Sequence, residues 1–172
     1  MLLYDMNYLS DKIFEVEAFY SKRYKSFTMP PHRHSYFEIL YLEEGKCHVE
    51  IHDLSAKKSN MVSLSANSFI IINSGIPHNL IINEENPCQL KAIELRAKKP
   101  TNSSFPFSTL DKLITHSMIF QNLLVSNLSH VLLRDTNNIH NVITDIVQIH
   151  SQYNSILPED KYILVQLKIF LC

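Results

Sequence analysis

Apolar and polar residues alternate along much of the first hundred positions, with the period of a β-strand. In residues 46–53, Cys47, Val49 and Ile51 are separated by His48, Glu50 and His52. That pattern predicts a strand with one buried and one wet face. On this reading Val49 and Ile51 line an interior, Cys47 is a small buried hydrophobe rather than a thiol sensor, and His48 and His52 are surface residues. Residues 36–42 (Tyr-Phe-Glu-Ile-Leu-Tyr-Leu) form another strand, turned back by Glu43-Glu44-Gly45. Phe37, Ile39 and Tyr41 share one parity and are expected on an outer face covered by helices. Further strands are predicted over 12–28 (one or two), 61–65, 68–73, 78–83 and 88–96, with residues 1–11 as an arm or loose turn. The chain has only 2 glycines, so its corners fall to other residues. Asn60, Asn67, Asn83 and Asn86 are the expected turn formers. Short strands punctuated in this way imply a barrel or sandwich.

Beyond Pro100 the period changes. Ile139, Val142, Ile143, Ile146, Val147, His150 and Tyr153 fall on one face of a helix, which Asn138 is placed to cap. Residues 117–133 predict a second helix, with Met118, Leu124, Leu128, Val131 and Leu132 as its apolar set. A third starts at Pro158, with Glu159 and Asp160 in its first turn. It continues to Phe170-Leu171-Cys172, as though stopped in mid-helix, so the natural chain is expected to run on. The expected organisation is mainly β with appended helices: a barrel over 1–100 and a helical segment over 101–172.

Composition narrows the function classes. At 45% hydrophobic and 19% charged residues, the chain is expected to fold rather than remain disordered. A net charge of −1 argues against this segment gripping nucleic acid alone, because phosphate contact needs a clustered basic surface. The basic groups Lys22, Arg23, Lys25, Lys98 and Lys99 read as solvated loops. The 3 cysteines form no pair motif and suit a reducing compartment. No leader or apolar span is visible, so a cytoplasmic protein is expected, without membrane partners. Nucleophile elbows, phosphate loops and the zinc-protease helix motif are all missing.

The chemistry concentrates in His32-Arg33-His34-Ser35-Tyr36-Phe37-Glu38, followed by Gly45 and then by Gly75-Ile76-Pro77-His78. Residues 32, 34 and 38 project from one side of an extended chain. With His78 from another strand they form a set suited to a Zn, Mn, Fe or Ni ion. A buried Glu38 would need a partner, and His34 and His78 are the candidates. Tyr36 shares the inward parity of Glu38 and Leu40.

These residues resemble the cupin superfamily. His32, His34, Glu38 and Gly45 stand at the spacing of its first motif, with Ser26 replacing the leading glycine. Gly75 and His78 match the second motif. There Asn67 replaces a glycine and Asn73 a proline, and Asn83 lies one residue beyond the usual asparagine position, which holds Ile82. The stretch Pro31–Tyr41 and the stretch Ile72–His78 look more narrowly like the N-terminal domain of AraC-type bacterial transcription regulators.

That resemblance implies a cupin barrel that senses a small, sugar-like effector, followed by helices that pair two copies. It also implies that DNA is contacted only through a domain missing from this chain. The candidate ligand-binding residues are His32, His34, Tyr36, Glu38 and His78, with no catalytic residue, no cofactor and no resident metal. If a metal is held, its ligands are His32, His34, Glu38 and His78. Two rivals stand beside this reading. One is a stand-alone metal-dependent isomerase, epimerase or dioxygenase. The other is an interaction module with an empty barrel.

Overall fold

The computed structural model describes residues 12–53, 58–99, 128–136 and 138–152. Nine strands and one helix are present among them: β1 (Ile13–Tyr24), β2 (Phe27–Thr28), β3 (Phe37–Glu44), β4 (Lys46–Asp53), β5 (Lys58–Ser65), β6 (Ser68–Ile72), β7 (His78–Ile82), β8 (Cys88–Lys98), β9 (His130–Arg134) and α1 (Ile139–Gln152). They form two antiparallel sheets. One has the order β1-β8-β3-β6-β9, the other β2-β7-β4-β5.

The pleat sorts each strand's side chains between two cores. Leu40 and Leu42 of β3, Val49 and Ile51 of β4, Ile70 and Ile72 of β6, and Leu90 and Ala92 of β8 meet between the sheets. The opposite parity of the five-stranded sheet carries Phe37, Tyr41, Phe69, Ile71, Ile93 and Leu95, with Ile139, Val142 and Ile143 of α1 packed among them. The outer-face position expected for Phe37, Ile39 and Tyr41 is therefore seen. A sheet covered on both sides explains why residues 69–72 are apolar without alternation. In β4 only Cys47, Val49 and Ile51 face the core, and alternation is kept. Burial pushes the Cys47 thiol up to about 12, with Cys88 adding to the effect, so it is inert packing at neutral pH.

The β3–β4 corner depends on Gly45. Its φ is +82°, and a Cβ there would lie 2.1 Å from the Pro87 carbonyl oxygen. Asn67, at φ 60°, makes the β5–β6 corner, and Asn83 accepts a hydrogen bond from the Asn86 amide across the β7–β8 turn. Asn60 is a correction. It lies inside β5 opposite Ile51, in a strand that starts at Lys58, before the predicted position 61.

A second correction falls on the predicted helix 117–133. Residues 130–134 are strand β9, paired antiparallel with β6 from Ser68↔Arg134 to Ile72↔His130. Val131 and Leu133 pack on the outer-face core while Leu132 is exposed. A short apolar run fits either period, and here the ladder capacity of β6 decides it. The sheet therefore recruits chain from beyond position 100. Asn73 fixes this entry: its amide donates to the Ser129 carbonyl at 2.9 Å. Residues 1–11, 117–127 and the predicted helix from Pro158 lie outside the described residues.

Helix α1 starts at Ile139 as predicted and is described to Gln152, and Ile139, Val142 and Ile143 supply its packed face. Tyr153 and the side chains of Ile146, Val147 and His150 lie outside the described set. The cap differs from expectation. Asp135, not Asn138, accepts the Ile139 and His140 amides, at 2.9 and 3.1 Å. Asn138 has φ 58° and contributes only its carbonyl, to Asn141. Polar contacts then fasten α1 to the sheet. Lys91 Nζ lies 2.9 Å from Glu43 Oε1, 2.8 Å from His140 Nε2 and 2.9 Å from Thr144 Oγ1. His140 Nε2 also contacts Glu43 Oε1. The Tyr41 hydroxyl donates to Asp135 Oδ2 at 3.0 Å.

Candidate ligand-binding site

The segment before β3 is held extended along β7. His32 and His78 exchange backbone hydrogen bonds at 3.0 and 2.9 Å, and the Met29 amide donates to the Leu80 carbonyl at 2.9 Å. The Gly75 amide, in a turn with φ +73°, donates to the His34 carbonyl at 2.7 Å. Extension puts residues 32 and 34 on one side, and the register of β7 brings His78 between them and β3. The four groups proposed from spacing do converge. One ligand atom from each of His32, His34, Glu38 and His78 lies within 4.8 Å of the others.

Glu38 is the centre of this cluster and is 3% exposed. Its Oε2 lies 2.8 Å from His78 Nε2 and 3.2 Å from His34 Nε2, and its Oε1 accepts from the Tyr20 hydroxyl at 3.2 Å. Burial alone would raise its pKa. The hydrogen bonds and positive charge of His34 and His78 outweigh burial and hold the carboxyl at about 2. Burial likewise opposes charge on His34, but its Glu38 hydrogen bond wins and raises the imidazole pKa. His32 moves down, through burial and then its neighbour His78. Burial and the adjacent Glu38 carboxylate push the Tyr20 phenol up.

Tyr36 stands at the rim, half-buried. Its ring stacks on His34 with centroids 5.4 Å apart. Arg96 lies over the same ring at 5.0 Å, donates to its hydroxyl at 2.8 Å and donates to Glu17 at 2.8 Å. Tyr20, Glu94, Arg96 and Glu17 were missed by sequence reasoning. The signal available for two of them was parity: Glu94 and Arg96 continue the inward row of Leu90 and Ala92. Their neighbours were not readable without the β1-β8-β3 order. His48 and His52 lie outside the cluster. His48 pairs with Ser63 at 3.0 Å and His52 with Asn79 at 2.8 Å.

The donor set fits a divalent transition ion. His78 Nδ1 is 2.8 Å from the Ile76 carbonyl and His32 Nδ1 is 3.3 Å from the Pro30 carbonyl. Backbone acceptors of this kind orient imidazoles with Nε2 turned inward. Both ring nitrogens of His78 thus face oxygen acceptors. Two N–H donors satisfy them, and so does one N–H with a cation between Nε2 and the carboxylate.

The family described as AraC-like ligand binding domain has a model that matches residues 16–112, more than half of the chain. The chain belongs to this family. The match covers His32, His34, Glu38 and His78 and their neighbours from Glu17 to Arg96. No curated protein matches the chain. Among solved structures, an oxalate decarboxylase described for its substrate binding mode is 22% identical. The match covers 62% of this chain and 26% of that one, with a TM-score of 0.39. A Bacillus subtilis oxalate decarboxylase described for its Mn(II) centres is 19% identical over 72% of this chain and 31% of its own, with a TM-score of 0.39. The Drosophila melanogaster CENP-C cupin domain is 17% identical over 46% and 62%, with a TM-score of 0.42. The AraC-like domain spans less than two thirds of each of these chains, and the likeness bears on no activity. No described helix is long and apolar enough to cross a membrane.

Proposed function

We propose that this AraC-like domain is the sensing and pairing part of a transcription regulator. A small, sugar-like metabolite enters the barrel mouth and meets His32, His34, Tyr36, Glu38 and His78. Two copies pair through the C-terminal helices, and a separate domain contacts DNA. The domain itself performs no catalysis and acts in the bacterial cytoplasm. The observation that carries this reading is the placement of a polar, titratable cluster inside a family match for ligand binding. Convergent polar groups set beside an apolar core are the usual make-up of a small-molecule site. Occupancy would bias helix docking only through differential affinity for two states.

The test is thermal stabilisation of the 172-residue chain by a metabolite panel, followed by Tyr36→Ala and Glu38→Gln. A sensor is stabilised in proportion to ligand concentration over Kd. We expect both variants to lose that stabilisation while sedimentation still reports a dimer. Equal affinity in the double variant would remove the pocket from this assignment.

A second reading rests on the three imidazoles and one carboxylate within 4.8 Å: a metal-dependent isomerase or dioxygenase. Bound there, a divalent ion would polarise a substrate oxygen. Elemental analysis separates the two. About one transition ion per chain, lost in His34→Ala, favours the enzyme.

A further inference from the structure

Glu94 lies directly across the β3–β8 ladder from Glu38 and follows the inward row of Leu90 and Ala92. The two carboxyls are differently served. Glu38 takes hydrogen bonds from His34, His78 and Tyr20. Glu94, half-buried among the same groups, accepts none from another described side chain. Most of the nearby donors face other acceptors. The Tyr20 hydroxyl and the Nε2 atoms of His34 and His78 face Glu38, and Arg96 serves Glu17 and Tyr36. His32 Nδ1 faces the Pro30 carbonyl, which leaves Nε2 as an acceptor. Among the described residues Glu94 is therefore a carboxylate with acceptor capacity left over, and His34 Nδ1 is the one imidazole nitrogen of the cluster buried without a partner.

We propose that Glu94 is the residue that determines effector specificity, and that it selects a ligand bringing hydroxyl or amine donors and no carboxylate. An acid entering there would place its charge beside two carboxylates, Glu38 and Glu94, while the Nε2 atoms of His34 and His78 already face Glu38. A hydroxyl or ammonium group would give Glu94 a donor that no described side chain supplies. This deepens the ligand-sensing reading and rests on it.

The experiment uses the 172-residue chain at neutral pH. D-ribose, D-glucose, myo-inositol and D-glucosamine are compared with D-gluconate, D-glucuronate and citrate at millimolar concentration, by thermal shift and then calorimetry. Stabilisation by members of the first set and not the second is expected. Glu94→Gln should bind the best of them roughly ten-fold more weakly or worse, since a charge-assisted hydrogen bond is lost. Acids that stabilise equally well, or an unchanged Kd in Glu94→Gln, overturn the proposal. If binding depends on Tyr36 and Glu38 but is indifferent to Glu94, the pocket reading survives and this inference falls. Silence from every compound removes the pocket reading and this inference with it.

Discussion

Strands β3 and β8 carry two polar clusters on opposite faces, and the clusters differ in how completely they are satisfied. On the outer face, Lys91 Nζ meets Glu43 and Thr144 as acceptors, and the His140 Nε2 beside it also faces Glu43 Oε1. Asp135 uses its carboxylate on two helix amides and the Tyr41 hydroxyl. That cluster is closed and fastens α1. On the inner face, Glu38 is equally well served, but Glu94 beside it is not. His34 Nδ1 and Ser74 Oγ are also buried without a partner. The same residue types thus dock α1 where they close on themselves, and on the proposed reading they recognise an effector where capacity is left over. Buried polar groups left open mark where an external group is expected.

The largest effect that sharpens this contrast is the acid response of Glu38. Its folded-state pKa, about 2, lies below the ordinary 4.5, so folding favours the ionised form. The resulting stability is complete above the ordinary value and is lost as pH falls through about 2. At 1.36 kcal/mol per pKa unit this is on the order of 3 kcal/mol. Urea unfolding across that range should show the loss in the wild type and a flatter profile in Glu38→Gln. A profile unchanged by the substitution would show that Glu38 is not held ionised by its imidazoles.

Lys91→Ala comes next. It leaves Glu43 and His140 without their shared cation and should cost about 2 kcal/mol in urea unfolding, because the group is 9% exposed. Ligand affinity should stay unchanged. A parallel loss of ligand affinity would mean that the two faces are coupled. Asp135→Ala removes the α1 cap and should cost about 1 kcal/mol, read as lower amide protection in the first turn of α1. Asn138→Gly, which keeps the left-handed backbone and removes the side chain, should leave that protection as it is. Glu94→Gln has the smallest expected effect on the unliganded protein. Burial raises the Glu94 pKa, which means that stability falls as pH rises through the carboxylate range, so the amide variant should be equally stable or slightly more stable at neutral pH. Clear destabilisation would show a structural partner for Glu94.

Much of this was legible in the sequence because it depends on neighbours along the chain. Alternation in residues 46–53 placed Cys47, Val49 and Ile51 inward. The His32, His34, Glu38 and Gly45 spacing located one edge of the site and the β3–β4 corner. What escaped depends on pairing across long separations. Residues 130–134 read as helix because Val131 and Leu132 fit that period, and only the open ladder of β6 makes them a strand. Asn138 looked like the cap, yet the chain enters α1 through a left-handed residue there and Asp135 reaches the amides instead. Tyr20 and Glu94 join Glu38 only because β8 lies between β1 and β3, an order that no local pattern encodes.

The most direct test of the central claim is nitrogen-15 NMR of the histidine rings while the best-stabilising compound is titrated into the chain. The account predicts that the ring signals of His32, His34 and His78 move with occupancy while those of His48 and His140 stay in place. Movement confined to His140, or none at His32, His34 and His78 during saturable binding, would contradict it.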